Sequence, residues 1–311
     1  MCGCETLKMA YSAVQPGAGS ARHSHMPALS RRTFLNQFKF FWAPSLVTGA
    51  SSYGYAAEVE RHCITVERHK VSLPLGERGP AALRVVSLTD FHYDPLHEAE
   101  FFEKCVRRTN ELDPDLVVLT GDFVTHSCKR VDELTKVLSH LKPRHGLYAC
   151  LGNHDHWNTS PSRILECLDK AGIDLLRNQH SRIFMNGGEV VLAGLDSVWS
   201  GHPMWESAAQ GLKTDDHAIV LMHEPDYADV VKQDARAVFQ LSGHTHGGQV
   251  RMPLIGALKL PTYGRHYQEG FYNVGKMKLY VNRGLGTIGM HVRFLCPPEI
   301  ACFDIRNADH V

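Results

Sequence analysis

The sequence of 311 residues has no excess of either charge, since 33 lysine and arginine residues balance 33 aspartate and glutamate residues. General binding of nucleic acid requires a basic surface, so we expect no nucleic-acid partner. The nine cysteines include no Cys-x-x-Cys pair, which argues against a disulfide scaffold. We expect reduced thiols, mostly buried, that pack as small apolar groups.

The chain also lacks an apolar run long and continuous enough for a stable transmembrane helix. The apolar stretch over residues 40–57 is interrupted by Pro44, Gly49 and Gly54. A weak apolar core of this kind, rich in small residues, is typical of an export signal or a signal anchor. The chain after residue 57 shows neither an internal repeat nor a low-complexity linker, so we predict one domain over residues 58–311.

A basic motif precedes this apolar stretch. Residues 30–35 read Ser-Arg-Arg-Thr-Phe-Leu, which resembles the twin-arginine export signature. We predict a twin-arginine-like signal or signal anchor over residues 31–57, the alternative being a basic tail that lies on the protein. Residues 1–30 lack periodicity and are predicted to be a disordered leader, of which the part before Met26 is untranslated if synthesis starts at Met26. This leader indicates a membrane-associated protein or one exported to the bacterial inner membrane or periplasm.

The order of predicted elements indicates an α/β fold. Strands and helices alternate at residues 83–89, 99–112, 115–120, 132–141, 147–151 and 162–171. This strand–helix rhythm predicts a parallel sheet with crossover helices.

The second half of the chain predicts a second, more antiparallel sheet. Hairpins are predicted over residues 182–195, with a turn at Asn186, and over residues 271–281, with a turn at Gly275. The remaining predicted strands are residues 63–75, at a sheet edge, and residues 218–222, 237–241 and 300–305.

Metal-capable side chains follow five of these strands, namely Asp90 with His92, Asp122, Asn153 with His154, His223, and His244 with His246. Each group alone is also compatible with a polar turn. Because ligands bind beyond the carboxyl ends of strands in α/β proteins, we expect the groups to converge on one edge of the core. Mixed carboxylate, imidazole and amide ligands suit zinc, manganese or iron. The set is large enough for two ions that share a carboxylate.

In order, the motifs Asp-x-His, Gly-Asp, Gly-Asn-His-Asp, His and Gly-His-x-His resemble those of the calcineurin-like metallophosphoesterase superfamily, over residues 83–305. The resemblance implies a four-layer α-β-β-α sandwich, an α/β fold that some schemes class as α+β. It implies two divalent metal ions per chain, the first held by Asp90, His92, Asp122 and His246 and the second by Asp122, Asn153, His223 and His244.

The resemblance also implies catalytic roles. A hydroxide between the two ions attacks phosphorus, and His154 stabilises the transition state or protonates the leaving oxygen. Asp155 is expected to orient His154 through a hydrogen bond. Apart from the resemblance, Arg283 and Arg293 are candidates to clamp a phosphate or diphosphate of the substrate, with structural salt bridges as the alternative. Residues 253–269 are a candidate substrate loop or lid, or a long connection.

A closer resemblance is carried by residues 88–92, 243–249, 280–286 and 293–300. They are similar to the bacterial membrane-associated branch that includes YkuE, YaeI and the UDP-2,3-diacylglucosamine hydrolase LpxG. Residues 121–125 depart from the motif of the protein Ser/Thr phosphatases. The resemblance implies cleavage of a nucleotide-linked lipid in lipid A biosynthesis, at the cytoplasmic face of the membrane. The alternatives are a broad phosphodiesterase acting on nucleotides or cell-envelope phosphoesters, and a catalytically silent binding module.

Overall fold

The computed structural model describes residues 51–93, 99–125, 130–157, 161–185 and 187–310. The predicted leader over residues 1–30 and most of the predicted signal over residues 31–57 lie outside these ranges. Within them, no helix combines the length and the apolar character that crossing a membrane requires. The described chain begins with a helical segment that includes Tyr55–Val59 and Glu60–His62.

The strands are β1 (Thr65–Leu73), β2 (Ala82–Leu88), β3 (Leu116–Thr120), β4 (Leu147–Cys150), β5 (Asp174–Leu175), β6 (Gln179–Met185), β7 (Gly188–Gly194), β8 (Ala218–Leu221), β9 (Ala237–Ser242), β10 (Arg251–Met252), β11 (Gly256–Ala257), β12 (Gly270–Val274), β13 (Met277–Val281) and β14 (Glu299–Asn307). The α-helices are α1 (Ala99–Asn110), α2 (Val131–Leu138), α3 (Pro161–Lys170), α4 (Trp205–Ala208) and α5 (Ala228–Val231).

The first sheet has the strand order β1-β14-β2-β3-β4-β5. Strands β2, β3, β4 and β5 run parallel to one another, whereas β14 is antiparallel to β2 and parallel to β1. Helices α1 and α2 cross over between the parallel strands, which confirms the predicted alternation. All five residues of β3 are buried, as expected for a parallel strand that is covered on both faces.

The second sheet has the strand order β12-β13-β9-β8-β7-β6. The hairpins predicted over residues 182–195 and 271–281 are confirmed, and each lies at one edge of this sheet. The centre is different, since β7, β8, β9 and β13 pair in parallel. The expectation of a more antiparallel sheet is therefore wrong for the centre. Parallel neighbours need crossover connections, and the short helices α4 and α5 lie in two of them.

Three apolar cores separate four layers. Phe102 and Leu134 lie between helices α1 to α3 and the first sheet. Phe239 and Phe303 lie between the two sheets, where their rings meet edge to face at 5.4 Å. Trp205 lies between the second sheet and the short helices. The predicted α-β-β-α sandwich is thus confirmed.

The described cysteines are all free thiols, as the sequence predicts. Cys63 is exposed, whereas Cys105, Cys150, Cys167, Cys296 and Cys302 are buried. The five buried cysteines contribute to packing as small apolar side chains.

The core between the sheets gives the first prediction. Replacing Phe303 by alanine should lower the free energy of unfolding by about 3–5 kcal/mol, because the fully buried ring leaves a cavity. Chemical denaturation measures the change. The matched control is Phe184→Ala, where the ring is 75% exposed and the change should stay within about 0.5 kcal/mol. Equal losses in both variants would contradict this layer assignment.

Candidate metal centre

The residues predicted as metal ligands lie on five loops at one edge of the sandwich. These loops follow β2, β3, β4, β8 and β9. Backbone hydrogen bonds join neighbouring loops: the His92 amide donates to Asp122 at 2.9 Å, and the Gly243 amide donates to His223 at 3.0 Å. Between the sheets, the His244 amide donates to the Asp90 carboxylate at 3.0–3.1 Å. The loops of both sheets therefore form one continuous floor.

Three groups of potential ligands occur within this floor: Asp90, His92 and His246; His92, Asp122 and His154; and Asp122, His223 and His244. In each group one ligand atom per residue lies within 4.8 Å of the others. Asn153 is buried in the same loop as His154. The structure therefore brings together the residues that the sequence predicts as ligands.

The Asp122 carboxylate lies between histidines of two groups. Its Oδ2 atom is 3.4 Å from Nε2 of His92 and 3.1 Å from Nε2 of His223. Its Oδ1 atom accepts a hydrogen bond from the His154 amide at 2.9 Å. This is the geometry expected of a carboxylate that is shared by two cations.

Two imidazoles face each other in the first group. Nε2 of His92 lies 3.0 Å from Nε2 of His246, and Oδ1 of Asp90 lies 3.2 Å from the same His246 atom. Two imidazole lone pairs repel at this distance, so a proton or a cation has to lie between or beside them. The three side chains are buried, and a shared cation would neutralise the buried carboxylate as well.

Several buried polar atoms at the centre have no hydrogen-bond partner among the described residues. They are both amide atoms of Asn153, Nδ1 of His244 and Nδ1 of His246. Leaving a buried polar group unpaired costs about 1–3 kcal/mol. A divalent cation is a suitable partner for the Asn153 oxygen and for Nδ1 of His244, so these two side chains fit a metal site.

Backbone carbonyl groups orient the rings of three histidines. Nε2 of His244 lies 2.8 Å from the Thr262 carbonyl oxygen, and Nδ1 of His223 lies 2.6 Å from the Thr120 carbonyl oxygen. Nδ1 of His154 lies 3.1 Å from a backbone carbonyl oxygen in the loop after β3. Each carbonyl accepts from the ring nitrogen it faces. In His244 the opposite nitrogen, Nδ1, therefore keeps its lone pair, as a metal-binding histidine requires. In His223 and His154 the opposite nitrogen is Nε2.

The pKa directions agree with this assignment. Burial, and then the charge of His223, lower the pKa of His244 to about 4. Burial also lowers the pKa of His92 well below its ordinary value. Burial would lower the pKa of His223 as well, but Asp122 raises it well above its ordinary value. His92 and His244 are therefore neutral at pH 7, whereas His223 carries a proton that a bound cation would replace.

The backbone of the candidate ligands is strained. Positive φ angles occur at Asp90 (52°), His92 (42°), Asp122 (54°), His244 (74°) and His246 (51°). Residues other than glycine rarely adopt this left-handed region. Such strain persists where the surrounding structure enforces it, and it clusters at functional sites.

Two glycines leave room for the carboxylates of Asp122 and Asp90. A Cβ atom on Gly152 would lie 2.2 Å from Oδ1 of Asp122, and one on Gly243 would lie 2.2 Å from Oδ2 of Asp90. Gly152 is predicted to allow a sharp turn after the strand, and the structure adds this close approach. Any side chain at either position would displace a candidate ligand.

The Asp155 carboxylate contacts the backbone of two neighbouring loops. Its carboxylate accepts hydrogen bonds from the backbone amides of Asp122, Phe123 and Gly152, at 2.8–2.9 Å. Burial, followed by the charge of Asp122, raises the pKa of Asp155 to about 7 against these donors. Asp155 thus ties the loop after β3 to the loop after β4, and a backbone carbonyl takes the orienting role toward His154.

The two predicted substrate-binding arginines have structural partners. Arg283 donates to Glu67 at 2.8 Å, and its Nε lies 3.0 Å from a carboxylate oxygen of Glu299. Arg293 is fully buried and donates to backbone carbonyls, including that of Gly286 at 2.7 Å. Both guanidinium groups thus make contacts within the protein, which favours the structural alternative over the phosphate clamp.

The predicted substrate loop or lid over residues 253–269 is held against the centre. Its Thr262 carbonyl contacts His244, and the Thr245 hydroxyl donates to the Gln268 carbonyl at 2.6 Å. Strands β10 and β11 form a small hairpin at its start. The segment is thus an ordered wall of the candidate site along part of its length.

The comparison with family models gives a match over residues 83–248 to the calcineurin-like phosphoesterase model. The match covers more than half of the chain, and the chain belongs to this family, whose members are phosphoester hydrolases and typically depend on two metal ions.

Two relatives, YkuE and YaeI, fall in the branch that the sequence indicates. The chain is 32% identical over 287 residues to the uncharacterized metallophosphoesterase YkuE of Bacillus subtilis, covering 91% of this chain and 100% of that protein. It is 28% identical over 280 residues to phosphodiesterase YaeI of Escherichia coli, covering 89% and 99%. It is 31% identical over 239 residues to a Danio rerio transmembrane protein with a metallophosphoesterase domain, covering 73% and 54%.

The shared carboxylate gives the second prediction. Asp122→Asn should lower the affinity for both metal ions together. The loss should be at least roughly 10–100-fold, which is the cost of removing a hydrogen bond that supports a metal ligand. Calorimetric titration with manganese and metal analysis of the purified protein measure the effect. Asp304→Asn removes a carboxylate from a partly exposed pair with Arg84 and should leave both ions bound. Loss of one ion alone would show that Asp122 does not bridge.

Proposed function

We propose that the chain hydrolyses a phosphodiester or diphosphate bond with two divalent metal ions, manganese, zinc or iron. Asp90, His92, Asp122 and His246 hold the first ion, and Asp122, Asn153, His223 and His244 hold the second. The placement of the Asp122 carboxylate between His92 and His223 carries the proposal. When bound, such ions supply activation of water and neutralisation of phosphoryl charge.

His154 is the proposed catalytic acid. Its Nδ1 faces a backbone carbonyl, which leaves Nε2 for the substrate. From this position Nε2 donates a hydrogen bond to a phosphoryl oxygen or a proton to the leaving oxygen. Asp155 acts indirectly as a positioning residue, because it fixes the backbone amides of Asp122 and Gly152.

Within this class, the specific substrate that we propose is UDP-2,3-diacylglucosamine, a nucleotide-linked lipid, cleaved in lipid A biosynthesis at the cytoplasmic face of a membrane. Support comes from the sequence resemblance and from the hairpin of β10 and β11, which follows His246. Its side chains Met252, Leu254, Ile255 and Leu258 are exposed, and exposed apolar patches mark membrane or protein contacts. The transmembrane name of the Danio rerio relative agrees with a membrane surface as partner.

A broad phosphodiesterase is the second candidate, supported by the name of YaeI. A catalytically silent binding module is the third. The complete ligand set and the strained backbone that holds it favour an enzyme over this module.

The test uses the manganese-loaded full chain with two substrates, bis(4-nitrophenyl) phosphate and UDP-2,3-diacylglucosamine. Fast release of UMP with slow release of nitrophenol would support the lipid substrate. Turnover of the aryl diester alone would identify a broad phosphodiesterase. Bound metal without turnover of either substrate would favour the binding module and overturn the proposal.

The role of His154 gives a further prediction. His154→Ala should retain both metal ions but lose turnover by about 10²–10⁴-fold, the usual contribution of general acid–base catalysis. Metal analysis and kcat measure the two effects separately. The control His140→Ala removes an exposed imidazole just after α2 and should keep wild-type turnover. An unchanged kcat in His154→Ala would exclude His154 from the reaction.

A further inference from the structure

A continuous row of aromatic rings borders the candidate metal centre. The ring of His154 lies 4.4 Å from that of Trp157, which lies 5.0 Å from that of Trp199. Trp199 in turn lies 5.6 Å from His244. The two indoles therefore connect the proposed catalytic acid to a proposed metal ligand. The sequence does not single out either tryptophan, because the contact joins loops 42 positions apart that follow strands of different sheets.

The two indole rings form a corner. Their planes meet at 86°, so the face of one ring stands beside the edge of the other. Trp199 is 39% exposed although it lies in this row. Indole is mainly apolar, and exposure of its surface to water is unfavourable. A flat group that stacks in the corner would remove that surface from water.

A buried carboxylate holds the Trp199 loop in place. Glu224 directly follows His223 and is fully buried. It accepts hydrogen bonds from the Ser197 hydroxyl and from the amides of Val198 and Trp199, the latter two at 3.2 and 3.3 Å. The residue next to a proposed metal ligand thus sets the position of the indole.

A second contact joins the two tryptophan loops. Nε2 of His156, next to Trp157, lies 2.7 Å from Oδ1 of Asp196, which is buried. Asp196 also accepts from Arg177 at 2.9 Å. The corner is therefore held by contacts within the protein, and a preorganised site binds with a smaller loss of conformational entropy.

We propose that Trp157 and Trp199 form a stacking subsite for a planar ring carried by the substrate, either a nucleobase or an aryl group. This inference rests on the proposed function, since the phosphoryl group would lie at the metal centre while the ring occupies the corner. Every base and every aryl ring presents a π face, so stacking accepts both. The two tryptophans then favour esters that bear a ring over esters of similar charge without one.

Two matched ligand pairs test the subsite by calorimetric titration of the manganese-loaded full chain. Uridine 5′-monophosphate is compared with ribose 5-phosphate, and phenylphosphonate with methylphosphonate. In the wild-type protein the ring-bearing member of at least one pair should bind more tightly. Trp199→Ala and Trp157→Ala should each lower the affinity for that ring-bearing ligand by roughly 5- to 100-fold, the range for stacking on an aromatic side chain. The affinity for the ligand without a ring should stay unchanged. Trp199→Phe should restore most of the preference.

The pattern of results identifies the ring. A preference confined to the uridine pair indicates a nucleobase, and one confined to the phenyl pair indicates an aryl group. Phe184→Ala, which removes an exposed aromatic ring outside the corner, is the control and should change neither pair. Equal binding within both pairs in the wild type, or equal weakening of both members in Trp199→Ala, would overturn the subsite.

These outcomes are separable from the fate of the proposed function. Binding does not require turnover, so a preference for the ring that depends on Trp199 supports the subsite even in a chain that hydrolyses no diester. Hydrolysis that is unaffected in Trp199→Ala and Trp157→Ala, together with equal binding within the pairs, would retain the proposed function and reject the subsite. Metal analysis of both variants must give the wild-type metal content, because loss of an ion would lower the affinity for all four titrated compounds alike.

Discussion

The Asp122 carboxylate is the contact on which the rest of the site depends. It is buried between His92 and His223, which follow strands of different sheets, and it accepts a hydrogen bond from the His154 amide. A buried charge is stable only if it is paired. The surrounding histidines, the glycine that leaves room for the carboxylate and the amides held by Asp155 all serve that pairing. The sandwich provides the rigid frame that keeps two loops from different sheets at this distance.

Strain and pairing are complementary at this centre. Five candidate ligands have left-handed backbones, which local sequence alone would not favour. The loops are held by hydrogen bonds to one another and by the packed strands beneath them. Buried polar atoms of Asn153 and His244 have no hydrogen-bond partner in the part of the chain that the structure describes. The fold thus enforces an unfavourable backbone geometry that directs the ligand atoms to common positions.

The sequence predicts the ligand loops well because each motif is local and follows an apolar strand. It also predicts the parallel strands β2, β3 and β4 of the first sheet, since the alternation of strand and helix requires parallel pairing. It does not predict the parallel centre of the second sheet, because hairpin turns have local signals whereas the connections through α4 and α5 have weak ones. The partners of Asp155, Arg293 and Trp199 depend on loops that meet only in the folded chain. These contacts have no counterpart in residue spacing.

The position of β14 has a consequence for the kinetics of folding. This strand lies between β1 and β2 in the first sheet, and the Thr65 hydroxyl donates to Pro298, 233 positions later in the chain. Closing so long a loop is entropically costly, and folds with such non-local pairings form slowly. During synthesis β1 has no neighbour in its sheet until residues 299–307 have left the ribosome. The edge of β2 therefore stays unpaired for most of translation, which makes that edge a point where the nascent chain is open to aggregation or to a chaperone.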